Sequence, residues 1–245
     1  MDREARLIAQ NVRALLPADA SPLPDEYSYN SLSLCIIDAV FSIGIRYSYV
    51  QKVVQNYCNC FQIPKIRPNK GALPPIAAQH SMADLCANTH DVDPDFLAKE
   101  VFKGRFRTST VNGILKAEAV GHFAQVLHNH SINFFQDAAQ VMDNPEKLAA
   151  IETEIKTIPG QKSGISLDYF WMLAGSEDRI KPDRMVIRFL AQTLGRDVKT
   201  GEALPLLQAA TAALKTDYQE DLTPRYIDHQ IWLYQRNKVL PASRP

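Results

Sequence analysis

Residues 158–166 read Ile-Pro-Gly-Gln-Lys-Ser-Gly-Ile-Ser and lie between two stretches with helical periodicity. The two glycines, Gly160 and Gly164, permit the positive φ angles that a tight hairpin between helices requires. Such a turn leaves backbone N–H groups exposed at the start of the following helix, where the helix dipole also favours an anion. The segment therefore predicts a helix–hairpin–helix element that can bind a phosphate, with an ordinary corner between two helices as the alternative.

Helical periodicity extends through the rest of the chain. The apolar run of residues 32–45 predicts a central buried helix that contains Cys35 as a small core residue. Asp93-Pro94 and Asn144-Pro145 place a capping side chain before a proline, which is typical of a helix start. Further helices are predicted near residues 7–16, 49–61, 80–89, 94–102, 113–129, 132–142, 145–157, 164–174, 181–195, 201–217 and 223–237. Because strand-like alternation is almost absent, the predicted fold class is all-α.

The overall composition limits the functional classes. The chain has 245 residues, of which 46% are hydrophobic, and its formal net charge is zero. Affinity for nucleic acid would therefore have to come from local basic surface. Cys58-Asn59-Cys60 does not have the spacing of zinc ligands, so we expect no metal site. Without a signal peptide or a membrane-spanning run, the expected location is the cytoplasm, with nucleoid association if the protein is bacterial.

The segment after the hairpin carries a candidate catalytic group. An apolar helix containing Phe170 and Trp171, which we expect in the core, ends at Gly175, and a loop leads to Asp183 at the start of the next helix. Aspartate is a favoured N-cap residue, and that role alone is one interpretation of Asp183. A carboxylate there could also stabilise positive charge on a sugar and deprotonate an attacking water. Asp183 is therefore the candidate catalytic residue.

Basic residues concentrate in the segment that precedes the hairpin. Residues 101–117 contain Lys103, Arg105, Arg107 and Lys116 but no acidic residue. Such stretches suit contacts with a phosphate backbone, whose affinity falls as the salt concentration rises. A solvated surface is the alternative interpretation. The loop that starts at Lys103 is the best candidate, because it immediately precedes the helix that leads toward the hairpin.

The order of these features resembles that of the helix–hairpin–helix DNA glycosylase superfamily, which includes endonuclease III and 8-oxoguanine glycosylase. The shared order is Ile-Pro-Gly, an apolar helix, glycine, a loop, and Asp183 entering a helix with Arg188 five residues later. Upstream, residues 40–44 resemble the end of the family's first core helix, and residues 112–117 resemble the start of a later one. The resemblance covers roughly residues 30–195 and is most specific from the hairpin to Asp183.

The resemblance implies a two-lobed helix–hairpin–helix glycosylase fold. Residues 29–175 would form a central helical lobe that includes the hairpin, and residues 1–28 and 176–245 would form a second helical lobe from both termini. It also implies double-stranded DNA as the partner. No membrane partner is expected, and the sequence identifies no protein partner.

The resemblance also implies roles for individual residues. The hairpin would bind a DNA phosphate through Gly160, Gln161, Lys162, Ser163 and Gly164. The turn after the first core helix would line a pocket for a base that leaves the stack, because the target atom cannot be reached inside a duplex. In that pocket we expect Arg46 and Tyr47, with Tyr47 stacking on the base; a polar helix end is the alternative for both.

The sequence departs from the family at two positions that matter for chemistry. Bifunctional members have a nucleophilic lysine where this chain has Gly164, although Lys162 is close by. A Schiff-base route is therefore not expected. Many members also bind an iron–sulfur cluster through four C-terminal cysteines, whereas this chain has no cysteine after Cys86. No cofactor is expected.

Three functions are compatible with these residues. The first is a monofunctional DNA N-glycosylase, a hydrolase of base-excision DNA repair that removes a damaged or modified base with Asp183 as its key carboxylate. The alternative is a non-catalytic helix–hairpin–helix DNA-binding or scaffold protein. The third is an all-α protein that binds only other proteins.

Overall fold

The protein is all-α over residues 2–16, 23–219 and 222–239, which are the residues that the computed structural model describes. Within these ranges no β-strand forms, and two isolated antiparallel bridges join Tyr29 to Ile66 and Arg107 to Leu115. The predicted fold class is therefore confirmed. No helix in the described part of the chain combines the length and apolar character that a membrane crossing requires.

The helices follow the predicted order, with ends that differ by a few residues. They are α1 (Asp2–Arg13), α2 (Leu32–Phe41), α3 (Tyr47–Phe61), α4 (Met82–Thr89), α5 (Pro94–Phe96), α6 (Lys116–Asn129), α7 (Phe135–Met142), α8 (Pro145–Ile155), α9 (Ile165–Leu173), α10 (Arg184–Leu194), α11 (Thr200–Tyr218) and α12 (Pro224–Val239). A π-helical turn, Leu97–Val101, continues α5, and short 3-10 turns form at Asp25–Ser28 and Ile76–Ala78. The predicted N-caps Asp93 and Asn144 both accept a backbone N–H and are confirmed.

The chain divides into two compact units. The central unit comprises Pro24–Gly175, and the terminal unit comprises Met1–Leu23 together with Ser176–Pro245. The lobe expected from the resemblance began at residue 29, whereas the central unit begins at Pro24.

Helix α2 forms the core of the central unit. All ten of its residues are buried, and it packs against α3, α4, α6 and α9. A helix that is apolar on every side is stable only when other elements cover each face. Cys35 on α2 and Phe170 and Trp171 on α9 are fully buried, as predicted.

The central helix is shorter than predicted, because α2 ends at Phe41 rather than near residue 45. Gly44 has a φ of +72°, a left-handed conformation that does not continue a helix. The Nζ of Lys116 donates to the backbone oxygens of Phe41, at 3.0 Å, and Ile43, at 2.5 Å. Lys116 is buried, so its assignment to the basic surface was wrong: its ammonium binds carbonyls at the end of α2.

The terminal unit has its own core, formed by α1, α10, α11 and α12. The apolar faces of these helices meet around Ile8, Leu190, Leu207 and Ile231, which are all fully buried. This packing fixes the start of α10, where Asp183 lies, and the middle of α12.

Candidate functional site

The hairpin joins α8 to α9 in the central unit. Gly160 and Gly164 have φ angles of +89° and +76°, as the sequence predicted. The N–H of Gln161 donates to the oxygen of Ile158 at 2.9 Å, and the N–H of Gly164 donates to the oxygen of Gln161 at 3.0 Å. Two successive tight turns therefore lead the chain into α9, for which Gly164 is the N-cap residue.

The outer side of the hairpin presents hydrogen-bond donors. Lys162 and Ser163 are exposed, and their backbone N–H groups donate to no other residue in the described ranges. The hydroxyl of Ser163 lies 3.5 Å from the N–H of Ile165. Because the turn is followed directly by a helix start, these donors have the arrangement that binds an anion.

Gln161 differs from the other hairpin residues. It is buried, and its side-chain oxygen accepts a hydrogen bond from the hydroxyl of Ser166. Its side chain therefore stabilises the hairpin from inside. The contact of Gln161 with DNA stays a prediction, although its backbone N–H already donates to Ile158 and its side chain is turned inward.

The hairpin packs directly on the segment of residues 103–113, which we call the basic loop. A Cβ atom added to Gly160 would lie 2.3 Å from the Cβ of Thr108, far closer than atoms can approach. Only glycine therefore allows this contact. The structure thus brings together two segments that were predicted separately to bind a DNA backbone.

The basic loop is a tight turn with an apolar tip. The N–H of Thr108 donates to the oxygen of Ile114 at 2.9 Å, and the N–H of Lys116 donates to the oxygen of Phe106 at 2.8 Å. Val111 lies between these paired segments and is 73% exposed. These hydrogen bonds give the loop a defined shape and hold the apolar side chain of Val111 in solvent.

The three predicted cations of the basic loop are all exposed but have different partners. Arg105 forms an ion pair with Asp95, which neutralises part of its charge. Arg107 donates from Nη1 to the oxygen of Gly113 at 2.6 Å, and this neutral acceptor leaves its charge in place. Lys103 has a φ of +53° at the start of the loop.

The predicted base-pocket residues lie at the start of α3. Arg46 is exposed and is the N-cap residue of that helix. Tyr47 is half-buried, and its hydroxyl lies 3.4 Å from Oδ2 of Asp38. The hydroxyl of Tyr29 donates to the same oxygen at 2.7 Å.

Asp38 was missed in the sequence analysis. It is fully buried on α2, and burial together with the nearby charge of Asp38 raises the pKa of Tyr29 well above its ordinary value. The same two causes raise the pKa of the buried Tyr169. The available signal was a single acidic residue in an otherwise apolar helix, because such a residue requires buried donors.

Asp183 lies in the terminal unit as the N-cap of α10. Its Oδ1 accepts the N–H of Met185 at 2.7 Å and the N–H of Val186 at 3.4 Å. No amide, hydroxyl or cationic group in the described part of the chain donates to its Oδ2. The carboxylate is half-buried, so it is held at one oxygen and is not sealed in the interior.

A second carboxyl group acts on the segment that carries Asp183. Asp228 on α12 is 4% exposed, and its Oδ1 accepts the N–H of Lys181 at 3.1 Å. Burial, and then the charge of Asp183, raise the pKa of Asp228 well above the ordinary value. The neighbouring His229 is also buried, which lowers its pKa to about 4. The sequence indicated no role for Asp228 at the candidate site.

No group of three or more His, Cys, Asp or Glu side chains in the described ranges could hold a metal ion. All four cysteines have free thiols, and of these Cys60 alone is exposed.

A family model described as a domain of unknown function, DUF8548, matches residues 6–236. The matched range includes the hairpin, the basic loop, Asp183 and Asp228. No curated protein and no solved structure matches the chain.

Proposed function

The chain belongs to the DUF8548 family, and we propose that it is a monofunctional DNA N-glycosylase that removes a damaged or modified base. One observation carries the proposal above all others. The hairpin and the basic loop contact each other at Gly160 and Thr108, so the two segments predicted to bind a DNA backbone are neighbours. The resemblance of the sequence to helix–hairpin–helix DNA glycosylases supports the same class.

The central unit would bind the DNA backbone. The exposed N–H groups of Lys162 and Ser163 suit a phosphate oxygen, and the cations of the basic loop add attraction that does not depend on base sequence. Val111 provides an exposed apolar tip on the basic loop. Apolar side chains of this kind can insert between base steps and help a base to leave the stack. Because the net charge of the chain is zero, binding depends on this local surface.

The terminal unit would supply the carboxylate. Cleavage of an N-glycosidic bond builds positive charge on the sugar, which a preorganised anion stabilises without rearrangement. The amides of Met185 and Val186 hold Oδ1 of Asp183 in place. Its other oxygen can then face the developing charge or accept a proton from the attacking water.

The proposed chemistry does not use an amine nucleophile. The residue at the family's lysine position is Gly164, whose left-handed backbone starts α9. The nearby Lys162 is exposed on the hairpin, where its ammonium suits a phosphate contact. We therefore expect hydrolysis by water, and borohydride should trap no covalent adduct with DNA.

A base-release assay tests the proposal. The full chain is incubated with duplexes that each carry one lesion from a broad panel, and abasic sites are then cleaved with alkali. We expect strand breaks with at least one duplex, and a roughly hundredfold or larger decrease in their rate for Asp183→Asn. The matched control is Asp197→Asn, which removes an exposed carboxylate of the same unit and should leave the rate unchanged.

The assay also distinguishes the alternative, a non-catalytic DNA-binding protein. That function is favoured by the N-cap role of Asp183, which accounts for this residue without any chemistry. Duplex binding without strand breaks across the panel would support it. No salt-dependent affinity for any duplex would contradict both DNA functions and leave a protein-binding role.

A further inference from the structure

Two carboxyl groups converge on one short segment of the terminal unit. Asp183 lies at its end and accepts the first amides of α10, while Asp228, on α12, accepts the N–H of Lys181 at 3.1 Å. The N–H of Asp183 also donates to the oxygen of Lys181 at 2.6 Å, so residues 181–183 form a tight turn. Asp228 therefore holds the turn that positions Asp183.

If Asp228 were ionised beside Asp183, few groups around it would neutralise its negative charge. Two charged residues act on Asp228. The charge of Asp183 disfavours an ionised Asp228, and the charge of Lys181 favours it. On its own helix, Arg225 forms an ion pair with Glu177 at 2.8 Å, and buried His229 is neutral near pH 7. Burial itself favours the neutral acid, because water no longer stabilises the charge.

We infer that Asp228 is a positioning residue that keeps its proton at neutral pH, so that Asp183 carries the single negative charge of the pair. A carboxylic acid retains one oxygen that accepts the N–H of Lys181 and gains an O–H donor. The inference rests on the proposed role of Asp183 and adds how that carboxylate is held.

The arrangement suits the proposed reaction. A negative charge on one carboxyl group favours the protonated form of a nearby one, and burial of the second group adds to this preference. With the proton on the buried member, the half-exposed member remains an anion that can stabilise positive charge on a sugar. Asp228 would thus act on the reaction through Asp183, with no contact to substrate.

Carbon-13 NMR of labelled aspartate carboxyl groups tests the charge directly and requires no DNA. The signal of Asp228, assigned by its loss in Asp228→Asn, should stay at the chemical shift of a protonated acid at pH 7. The reference is the chemical shift that ionised aspartate carboxyl groups show in the denatured chain at pH 7. An Asp228 signal that reaches the ionised position below pH 5 would overturn the inference.

The pH dependence of thermal unfolding gives a second measurement. Since burial raises the pKa of Asp228, the folded wild type loses stability as pH rises from about 4, the unfolded value, toward that raised pKa. Asp228→Asn has no proton to lose. Its Tm relative to wild type should therefore rise by a few degrees between pH 4 and pH 7. A constant difference, or a fall, would contradict the inference.

Base release tests the positioning role. Asp228→Leu removes the acceptor for the Lys181 N–H and should decrease the single-turnover rate at saturating enzyme by roughly a hundredfold, with duplex affinity unchanged. Asp228→Asn keeps a neutral acceptor and a donor, and should recover most of that rate. If Asp228→Asn is as slow as Asp183→Asn, the positioning role is wrong. If wild type releases no base, the proposed function fails, while the NMR titration still decides the charge of Asp228.

Discussion

Asp38 in the central unit and Asp228 in the terminal unit are both aspartates buried on helices, but different groups surround them. The hydroxyls of Tyr29 and Tyr47 point to Asp38, and Tyr29 donates to it at 2.7 Å. Asp228 accepts an amide N–H and faces the like charge of Asp183. Hydroxyl donors favour the ionised form of an aspartate side chain, whereas a neighbouring anion favours its protonated form. The two buried aspartates therefore differ in the groups that contact them.

The same difference separates what the two residues do for their units. Asp38 connects the hydroxyl of half-buried Tyr47 to the core helix, and so fixes a side chain that we expect in a base pocket. Asp228 connects α12 to the turn before α10 and so fixes a carboxylate. In both units a buried acid lies behind a more exposed residue that we propose to act on DNA.

The largest loss of stability should come from removing the carboxyl group of Asp38, which accepts the tyrosine hydroxyl in the central unit. Asp38→Ala leaves the hydroxyl of Tyr29 buried without its acceptor and should lower the free energy of unfolding of that unit by about 3 kcal/mol. Urea unfolding can be followed by the fluorescence of buried Trp171 in a Trp232→Phe background, because the chain has two tryptophans.

Two further variants sharpen the comparison of the buried acids. Asp38→Asn keeps one acceptor oxygen and should lose about half as much stability as Asp38→Ala. Asp228→Asn should lose none at pH 7, because it replaces a group that we infer to be neutral. Equal losses for Asp38→Asn and Asp228→Asn would show that the two buried acids are alike.

A second, somewhat smaller effect concerns the contact between the hairpin and the basic loop. Gly160→Ala would place a Cβ 2.3 Å from Thr108 at a φ of +89°, and the strain and overpacking together should destabilise the central unit by roughly 2–3 kcal/mol. The matched control is Gly44→Ala, with a φ of +72° and no atom within 4 Å of the added Cβ. It should destabilise by about 1 kcal/mol.

The affinity for duplex DNA tests whether the contact between the hairpin and the basic loop serves DNA binding. If the hairpin and the basic loop bind one backbone, Gly160→Ala should lose most of its affinity for duplex DNA in fluorescence anisotropy, while Gly44→Ala should keep it. Wild-type affinity in folded Gly160→Ala would separate the two segments and remove the main support for the proposed function.

The sequence predicted features that depend on local patterns. Periodicity and capping residues predicted the helices, and paired glycines predicted the positive φ angles at Gly160 and Gly164. It also predicted Asp183 as an N-cap, because that role depends on residues two and three positions later.

Features that depend on distant residues were missed or wrong. Lys116 was assigned to a basic surface because charge alone does not reveal that its ammonium binds carbonyls at the end of α2. Asp228 was given no role at the candidate site because its partner Lys181 lies in a loop far away in the chain. Gln161 is adjacent to exposed residues, and only the fold turns its side chain inward to Ser166.

The smallest effect compares two arginines of the basic loop that differ in their partners. Arg107 donates to a neutral carbonyl, whereas Arg105 is paired with Asp95. If both side chains reach phosphates, Arg107→Gln should reduce the slope of log affinity against log salt by about 0.9, the value for one phosphate contact. Arg105→Gln should reduce it by less, because Asp95 already offsets part of that charge. Anisotropy titrations between about 50 and 200 mM salt measure both slopes. If the Arg105 variant shows the larger change, the ion pair between Arg105 and Asp95 does not persist on DNA. The charge that the loop presents then depends on its contact with the duplex rather than on the fold of the free protein.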